Sequence, residues 1–309
     1  MSKIAFIFPG QGAQKCGMGK DFYENTEIGR RIFDRASELL GFSMPELCFE
    51  ENDRLDITEY TQAAMVTAGI AMMQVLEEKG VKPDVAAGLS LGEYCALVAA
   101  GVMSADDAIT TVRQRGILMQ EAVPVGLGAM AAILALDASA IEEVTGSMEG
   151  VWIANYNCPG QIVISGEKAA VEEACEKLKA AGAKRTVLLN VSGPFHSGML
   201  KEAGEKLGQV LENVAVSEPV IPYVANVNAS YVREAGQVKE LLKKQVSSSV
   251  RWQQSVEAMI ADGVDTFIEI GPGKTLAGFM KKINRGVKTL NIETLEDVDK
   301  VVAALREQQ

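Results

Sequence analysis

Ser90 stands at the centre of Gly88-Leu89-Ser90-Leu91-Gly92, a spacing that can turn a hydroxyl into a nucleophile. Glycines two positions to either side remove the Cβ atoms that would clash in a sharp strand-to-helix turn. The serine then sits at the apex, and the amides of the helix start point at whatever it attacks. The same residues also suit a serine that only caps a helix, so the rest of the chain must supply a base, an oxyanion donor and a substrate anchor. His196 is the one histidine of the chain. Neutral imidazole, with a reference pKa of about 6.5, can take a serine proton and return it to a leaving thiol or alcohol. A histidine that packs or caps is the alternative. The amide of Leu91, directly after the serine, is the natural first oxyanion donor, and the loop around Gln11 offers a second. The side chain of Gln11 is either a surface amide or part of a pocket wall. Arg115 follows Ala108 and Val112 and precedes Met119 in steps of four, three and four, which sets it on the apolar face of a helix with Arg113 nearly opposite. An inward arginine needs a carboxylate, either one of the protein's own or one brought by a ligand.

These residues must be positioned by an α/β framework. Ile4 to Phe8 reads as a buried strand ending in the breaker-rich loop Pro9-Gly10-Gln11-Gly12, where an open sheet displays its functional groups. Helical patterns cover 22 to 41 and 60 to 79, joined by an irregular acidic stretch around Glu50 to Asp56, and Val85 to Gly88 forms the strand before Ser90. Ser104 with Asp107 has the spacing of a capping box at the head of the helix that carries Arg115. From Gly128 the order strand 129–136, helix 139–144, strands 151–156 and 161–165, helix 168–180 and strand 185–191 matches a ferredoxin-like split βαβ module. The expected organisation is a large α/β domain with a parallel-sheet core (1–125 and 193–309) and an inserted βαββαβ small domain (126–192). Helices at 199–213, 236–246, 252–262 and from 275, with strands 220–224 and 266–270 and a helical end from 296, complete the large domain. The glycines after the first strand miss the dinucleotide fingerprint at Lys15. Gly271-Pro272-Gly273-Lys274-Thr275 lacks the first glycine of a phosphate loop, since position 268 is isoleucine.

Composition narrows the class. A chain of 309 residues with 48% hydrophobic and 23% charged residues has enough apolar content for a substantial core. A net charge of −11 argues against a nucleic-acid binder. Five widely spaced cysteines fit reduced thiols, and Pro9 and Gly10 cut short any signal-peptide core. No uncharged stretch suits a membrane span, so a cytoplasmic location without membrane association is expected. A lone histidine without an acidic or cysteine ligand pattern gives no metal site. Basic residues cluster at Lys177, Lys179, Lys184 and Arg185, at Lys239, Lys243 and Lys244, and at Lys274, Lys281, Lys282, Arg285 and Lys288. Each cluster is either a solvated face or a patch for an acidic partner.

The chain resembles the acyltransferase family of malonyl-CoA:acyl carrier protein transacylases and polyketide synthase acyltransferase domains. The likeness rests on Phe8-Pro9-Gly10-Gln11-Gly12, Gly88-Leu89-Ser90-Leu91-Gly92-Glu93-Tyr94, Arg113 to Gln120, Asn155 to Gln161, Gly193-Pro194-Phe195-His196-Ser197 and Glu269 to Gly273, in the family's order and over essentially the whole chain. The resemblance implies ping-pong acyl transfer without metal or cofactor. In it Ser90 attacks malonyl-CoA, His196 is base and acid, and the phosphopantetheine thiol of acyl carrier protein resolves the malonyl-serine. It further implies backbone amides of Gln11 and Leu91 as oxyanion hole, Arg115 as the malonate anchor, the backbone carbonyl of Gln245 as the group that orients His196, and a monomer that docks its acidic carrier on a lysine-rich patch. Leu89 stands where many members have histidine, and Gly193-Pro194 replaces the more usual small or polar residues. Phe195 fits a malonyl rather than a methylmalonyl preference. The alternatives are a malonyltransferase serving a polyketide synthase in trans and a serine carboxylesterase or thioesterase. Esterase triads of the α/β-hydrolase class normally place an acid between serine and a C-terminal histidine, and a buried arginine would be out of place in a pocket for neutral esters.

Overall fold

A computed structural model describes residues 2–307. The chain runs from β1 (Ile4–Phe8) through α1 (Lys20–Asn25), α2 (Glu27–Leu40), α3 (Met44–Phe49) and α4 (Thr58–Glu78) to β2 (Val85–Gly88), α5 (Gly92–Ala99) and α6 (Ala105–Glu121). It continues as β3 (Gly128–Leu134), α7 (Ala138–Gly146), β4 (Val151–Cys158), β5 (Gln161–Glu167), α8 (Lys168–Ala180) and β6 (Arg185–Leu188). It closes with α9 (Lys201–Glu212), β7 (Tyr223–Val224), β8 (Tyr231–Val232), α10 (Val238–Gln245), α11 (Trp252–Ala261), β9 (Thr266–Ile270), α12 (Thr275–Ile283), β10 (Lys288–Ile292) and α13 (Leu295–Arg306).

The larger sheet has the order β10-β9-β1-β2-β7-β8, parallel throughout except for the β7–β8 pair. β1 and β2 are apolar runs because helices cover both faces. Phe6 and Phe8 enter one core with α4 and α5, whereas Ala5 and Ile7 enter another with Trp252, Phe267 and Met280. α4 is buried almost all round, so its polar residues Thr58, Thr61, Gln62 and Thr67 lie inside the protein. The smaller, antiparallel sheet has the order β4-β5-β3-β6, the strand order of a ferredoxin-like unit, with α7 and α8 packed on it through Ile133, Ile141, Ile164, Val171 and Leu178. An α/β fold with a parallel core and an inserted ferredoxin-like unit is therefore what the chain forms.

Several local expectations change. The single helix expected over 22–41 is two, broken at Thr26, whose backbone is extended and whose hydroxyl accepts from Gly29 N. Gly29 can approach there because a Cβ on it would lie 2.3 Å from Phe22 O. The acidic stretch is preceded by α3, capped by Ser43 with a proline in its first turn. Ser104 accepts from Asp107 N, but the Asp107 carboxylate returns to the Ser104 hydroxyl (2.7 Å) rather than to its backbone, so the box is half closed. The strand expected over 220–224 shrinks to Tyr223–Val224, and β10 adds an edge strand. No helix among the described residues is long and apolar enough to cross a membrane.

Candidate active site

The elbow is built by steric exclusion. Ser90 adopts φ +55, a left-handed conformation that costs a non-glycine residue on the order of 1–3 kcal/mol. A Cβ on Gly88 would lie 1.9 Å from Gly92 C, and one on Gly92 would lie 2.4 Å from Phe8 O. A Cβ on Gly10 would lie 2.8 Å from Leu89 O. The turn after β2 is thus pressed against the loop after β1, with Leu89 N donating to Phe8 O (2.9 Å). Asn226, which follows β7, ties the strained turn from the other side: its Oδ1 accepts from Ser90 N (2.7 Å) and its Nδ2 donates to Gly88 O (2.7 Å).

His196 approaches from the chain that returns from the small sheet. Pro194 packs against Gly128, and Ser197 Oγ donates to Pro194 O (2.6 Å), holding His196 at φ +56. Its Nε2 lies 2.7 Å from Ser90 Oγ and its Nδ1 2.8 Å from the backbone carbonyl of Gln245. A carbonyl can only accept, so Nδ1 carries the proton and Nε2 is left to accept from the serine. Burial, and then the charge of Arg115, push the imidazole down to about 4, which keeps it neutral near pH 7. The segment after Gln245 is fixed to the small sheet, because Val250 N donates to Ala154 O (2.8 Å) and Tyr156 N to Val250 O (2.9 Å).

Arg115 is fully buried and donates to Gln62 Oε1 (2.6 Å), Gln245 Oε1 (2.9 Å) and Ser90 Oγ (3.1 Å). No carboxylate among the described residues forms an ion pair with it, and its Nε has no hydrogen-bond partner there. Of the two sequence readings, the internal ion pair is absent. Arg113, on the opposite side of α6, is the ion-paired arginine, 2.6 Å from Glu59 and 4.3 Å from the Tyr60 ring centroid. Three neutral acceptors orient the Arg115 guanidinium without neutralising it, a poise suited to an incoming anion.

Neither the Leu91 nor the Gln11 backbone amide donates to an acceptor among the described residues. The Gln11 side chain is neither a free surface amide nor an oxyanion donor, since its Nε2 donates to Thr58 Oγ1 (3.1 Å), which in turn meets Ser192 Oγ (2.8 Å). Gln245, the last residue of α10, presents its backbone carbonyl to His196 Nδ1.

Asn226, Gln62 and Glu93 escaped the sequence reading. Asn226 could have been found as the polar residue at the carboxyl end of the strand beside β2, where open α/β sheets carry their sites. Gln62 is a polar residue on a helix buried on every side. Glu93 follows the elbow directly, but only its burial distinguishes it from an ordinary first-turn acidic residue.

The constellation can attack a carbonyl, move the released proton, receive an oxyanion and hold an anionic substituent beside the nucleophile. The sequence profile of the acyl transferase domain family matches residues 5–303. The chain is 49% identical to the malonyl CoA-acyl carrier protein transacylase of Bacillus subtilis (strain 168), covering 100% of this chain and 99% of that protein. It is 46% identical to the protein of that name from Staphylococcus aureus (strain MRSA252), covering 96% and 98%. The crystal structure of malonyl CoA-acyl carrier protein transacylase from Clostridium perfringens superposes with a TM-score of 0.96 at 44% identity, covering 99% and 98%. A type II PKS acyl-carrier protein in complex with its malonyl-transacylase gives 0.95 at 39%, covering 98% of this chain and 100% of that one. A site built for acyl transfer and a match that runs nearly end to end lead to one conclusion: the chain belongs to the acyl transferase domain family.

Proposed function

We propose that the protein transfers the malonyl group of malonyl-CoA to the phosphopantetheine thiol of acyl carrier protein, supplying fatty acid biosynthesis through a malonyl-Ser90 intermediate. The observation that carries the malonyl assignment is Arg115: a buried guanidinium with neutral acceptors, one of whose NH2 groups already touches Ser90 Oγ at 3.1 Å. An acyl chain bound to that oxygen would bring a terminal carboxylate to the same guanidinium.

In the first half-reaction Ser90 Oγ attacks the thioester carbonyl as His196 Nε2 takes its proton. The oxyanion is received by the Gln11 and Leu91 amides. Collapse breaks the carbon–sulfur bond, and the CoA sulfur leaves with the proton from Nε2. The second half-reaction reverses these roles: Nε2 takes the carrier's thiol proton, sulfur attacks the malonyl-serine, and Ser90 leaves with the proton. The Gln245 carbonyl holds the imidazole in the required tautomer throughout, as a carboxylate does in other triads.

Among the basic clusters, Lys274, Lys281, Lys282 and Arg285 on and around α12 form no ion pair with a carboxylate among the described residues. In the other two clusters Lys177, Lys179, Lys243 and Lys244 are each paired with a glutamate, which leaves only Lys184, Arg185 and Lys239 without a carboxylate partner among the described residues. The α12 cluster, whose Lys282 lies near Cys158 at the end of β4, is therefore our docking surface for the acidic carrier. We place the enzyme in the cytoplasm as a monomer, with residues 126–192 as the small domain over the site.

The test is substrate discrimination by Arg115→Ala. Malonylation of Ser90 should fall on the order of 10²-fold while acetylation from acetyl-CoA changes little, since only the former loses a charge-assisted pair. Equal losses on both thioesters would contradict the assignment.

A further inference from the structure

Behind the nucleophile lies a buried carboxylate that the acyl transfer steps do not use. Glu93 is the second residue of α5, three after Ser90, and is 1% exposed. It belongs to no ion pair among the described residues. Arg115 is near enough for its charge to act on Glu93 but makes no direct pair with it, and burying a carboxylate without a paired cation costs several kcal/mol, so packing alone would favour an apolar residue there.

What Glu93 touches accounts for it. Its Oε2 accepts from Gln245 Nε2 (2.7 Å) and from Asn226 N (3.2 Å). Gln245 is the residue on which the site converges. Its backbone carbonyl meets His196 Nδ1, its Oε1 accepts from Arg115, and its Nε2 also donates to Ser90 O (3.0 Å). Asn226 holds Ser90 N and Gly88 O. A primary amide has one accepting and one donating end. With Nε2 drawn to Glu93 and to Ser90 O, Oε1 faces the guanidinium; without the carboxylate, the longer bond to Ser90 O is left to hold Nε2 on that side and the amide is less firmly set.

Resting on the acyl transfer reading above, we infer that Glu93 is a positioning residue: one buried oxygen, acting through Gln245 and Asn226, sets Ser90, His196 and Arg115 in register for the same acyl group. The Gln245 amide also keeps this carboxylate one residue away from Arg115, so the guanidinium stays available to substrate. The role needs an acceptor at that point rather than a charge. Burial pushes Glu93 up to about 7, and either protonation state retains an accepting oxygen there.

A charge role and an acceptor role order two variants oppositely. Glu93→Gln keeps an oxygen for both donors and removes the charge; Glu93→Asp keeps the charge and withdraws the oxygen by one methylene. Rapid-quench mass measurement of Ser90 malonylation, on protein shown to be folded by its near-UV circular dichroism and Tm, reads the difference. We expect E93Q to acylate within about threefold of the unmodified protein, and E93D to lose more than about tenfold, since a displacement near 1 Å costs up to ~10²-fold. E93D equal to or faster than E93Q, or a folded E93Q that has lost acylation, overturns the inference. E93Q decides the matter by itself if E93D does not fold. Failure of the unmodified protein to form any Ser90 adduct would instead remove the acyl transfer reading beneath it.

Discussion

The base we propose, His196, has no carboxylate behind it. Its Nδ1 donates to a neutral carbonyl, and both burial and Arg115 disfavour its protonation, so the free enzyme holds it at about 4 rather than near 6.5. Protonated imidazole cannot accept the serine proton, so kcat/KM for acylation falls only as pH drops through the folded-state value. The rate should therefore stay flat from neutral pH to about 5 and decline around 4. Removing the guanidinium in Arg115→Ala removes one cause of the depression, and the acidic limb should move to higher pH. A limb near 6.5 in both proteins would contradict this account. The same shift acts on stability: an unfolded chain protonates this histidine around 6.5 and the folded one does not, so its contribution disfavours folding as pH falls through that window and levels off below about 4. In the acyl-enzyme we propose, a malonyl carboxylate on Arg115 would cancel part of the push on His196. Of the candidate site, Ser90 was legible from its flanking glycines, His196 as the one histidine of the chain, and the inward direction of Arg115 from helical spacing. The ion pair kept open for Arg115 was excluded only by the placement of Gln62 and Gln245, far from it in sequence and beside it in space.

The elbow makes the element-scale demand most clearly. Gly88→Ala would put a Cβ 1.9 Å from the carbonyl carbon of Gly92, backbone against backbone, with no flexible side chain to yield. The turn must open, and we expect destabilisation of several kcal/mol, a lowered Tm and loss of Ser90 acylation. Unchanged stability and acylation rate would show that the close approach of β2 and α5 is not required. Such a turn can be read from five letters because its glycines leave few alternatives. The apolar runs of β1, β2 and β9 were legible for a related reason, since strands covered on both faces cannot hide their composition. Thr26 was not legible as a break: residues 22 to 41 keep a helical pattern across it, and the interruption comes from Gly29 closing on Phe22 O. β10, with alternating Thr289 and Asn291 at the sheet edge, lacks the apolar signature of its neighbours. Glu93 and Asn226 gained their meaning only from a network spanning β2, β7 and α10.

At the scale of the whole molecule, the site is where three returns of the chain meet: the elbow after β2, the segment that brings His196 back from the small sheet, and the Gln245 carbonyl with its following strand-like bridge to β4. The βαββαβ order of the small sheet was legible from alternating elements, whereas its pairing with 246–250 was not, since Ser247-Ser248-Ser249 carries no apolar pattern. Carrier docking is a property at this scale. Reversing Lys281 and Lys282 to glutamate should raise KM for the carrier several-fold, more at low salt than at high, while leaving acylation by malonyl-CoA intact. No change at low salt would exclude the α12 surface. The central claim is tested most directly by intact-protein mass after brief mixing with malonyl-CoA, followed by addition of phosphopantetheinylated acyl carrier protein. We predict one malonyl adduct, located on Ser90 and lost in Ser90→Ala, that moves to the carrier on its addition. An adduct on another residue, or one that disappears without loading the carrier, would contradict the account.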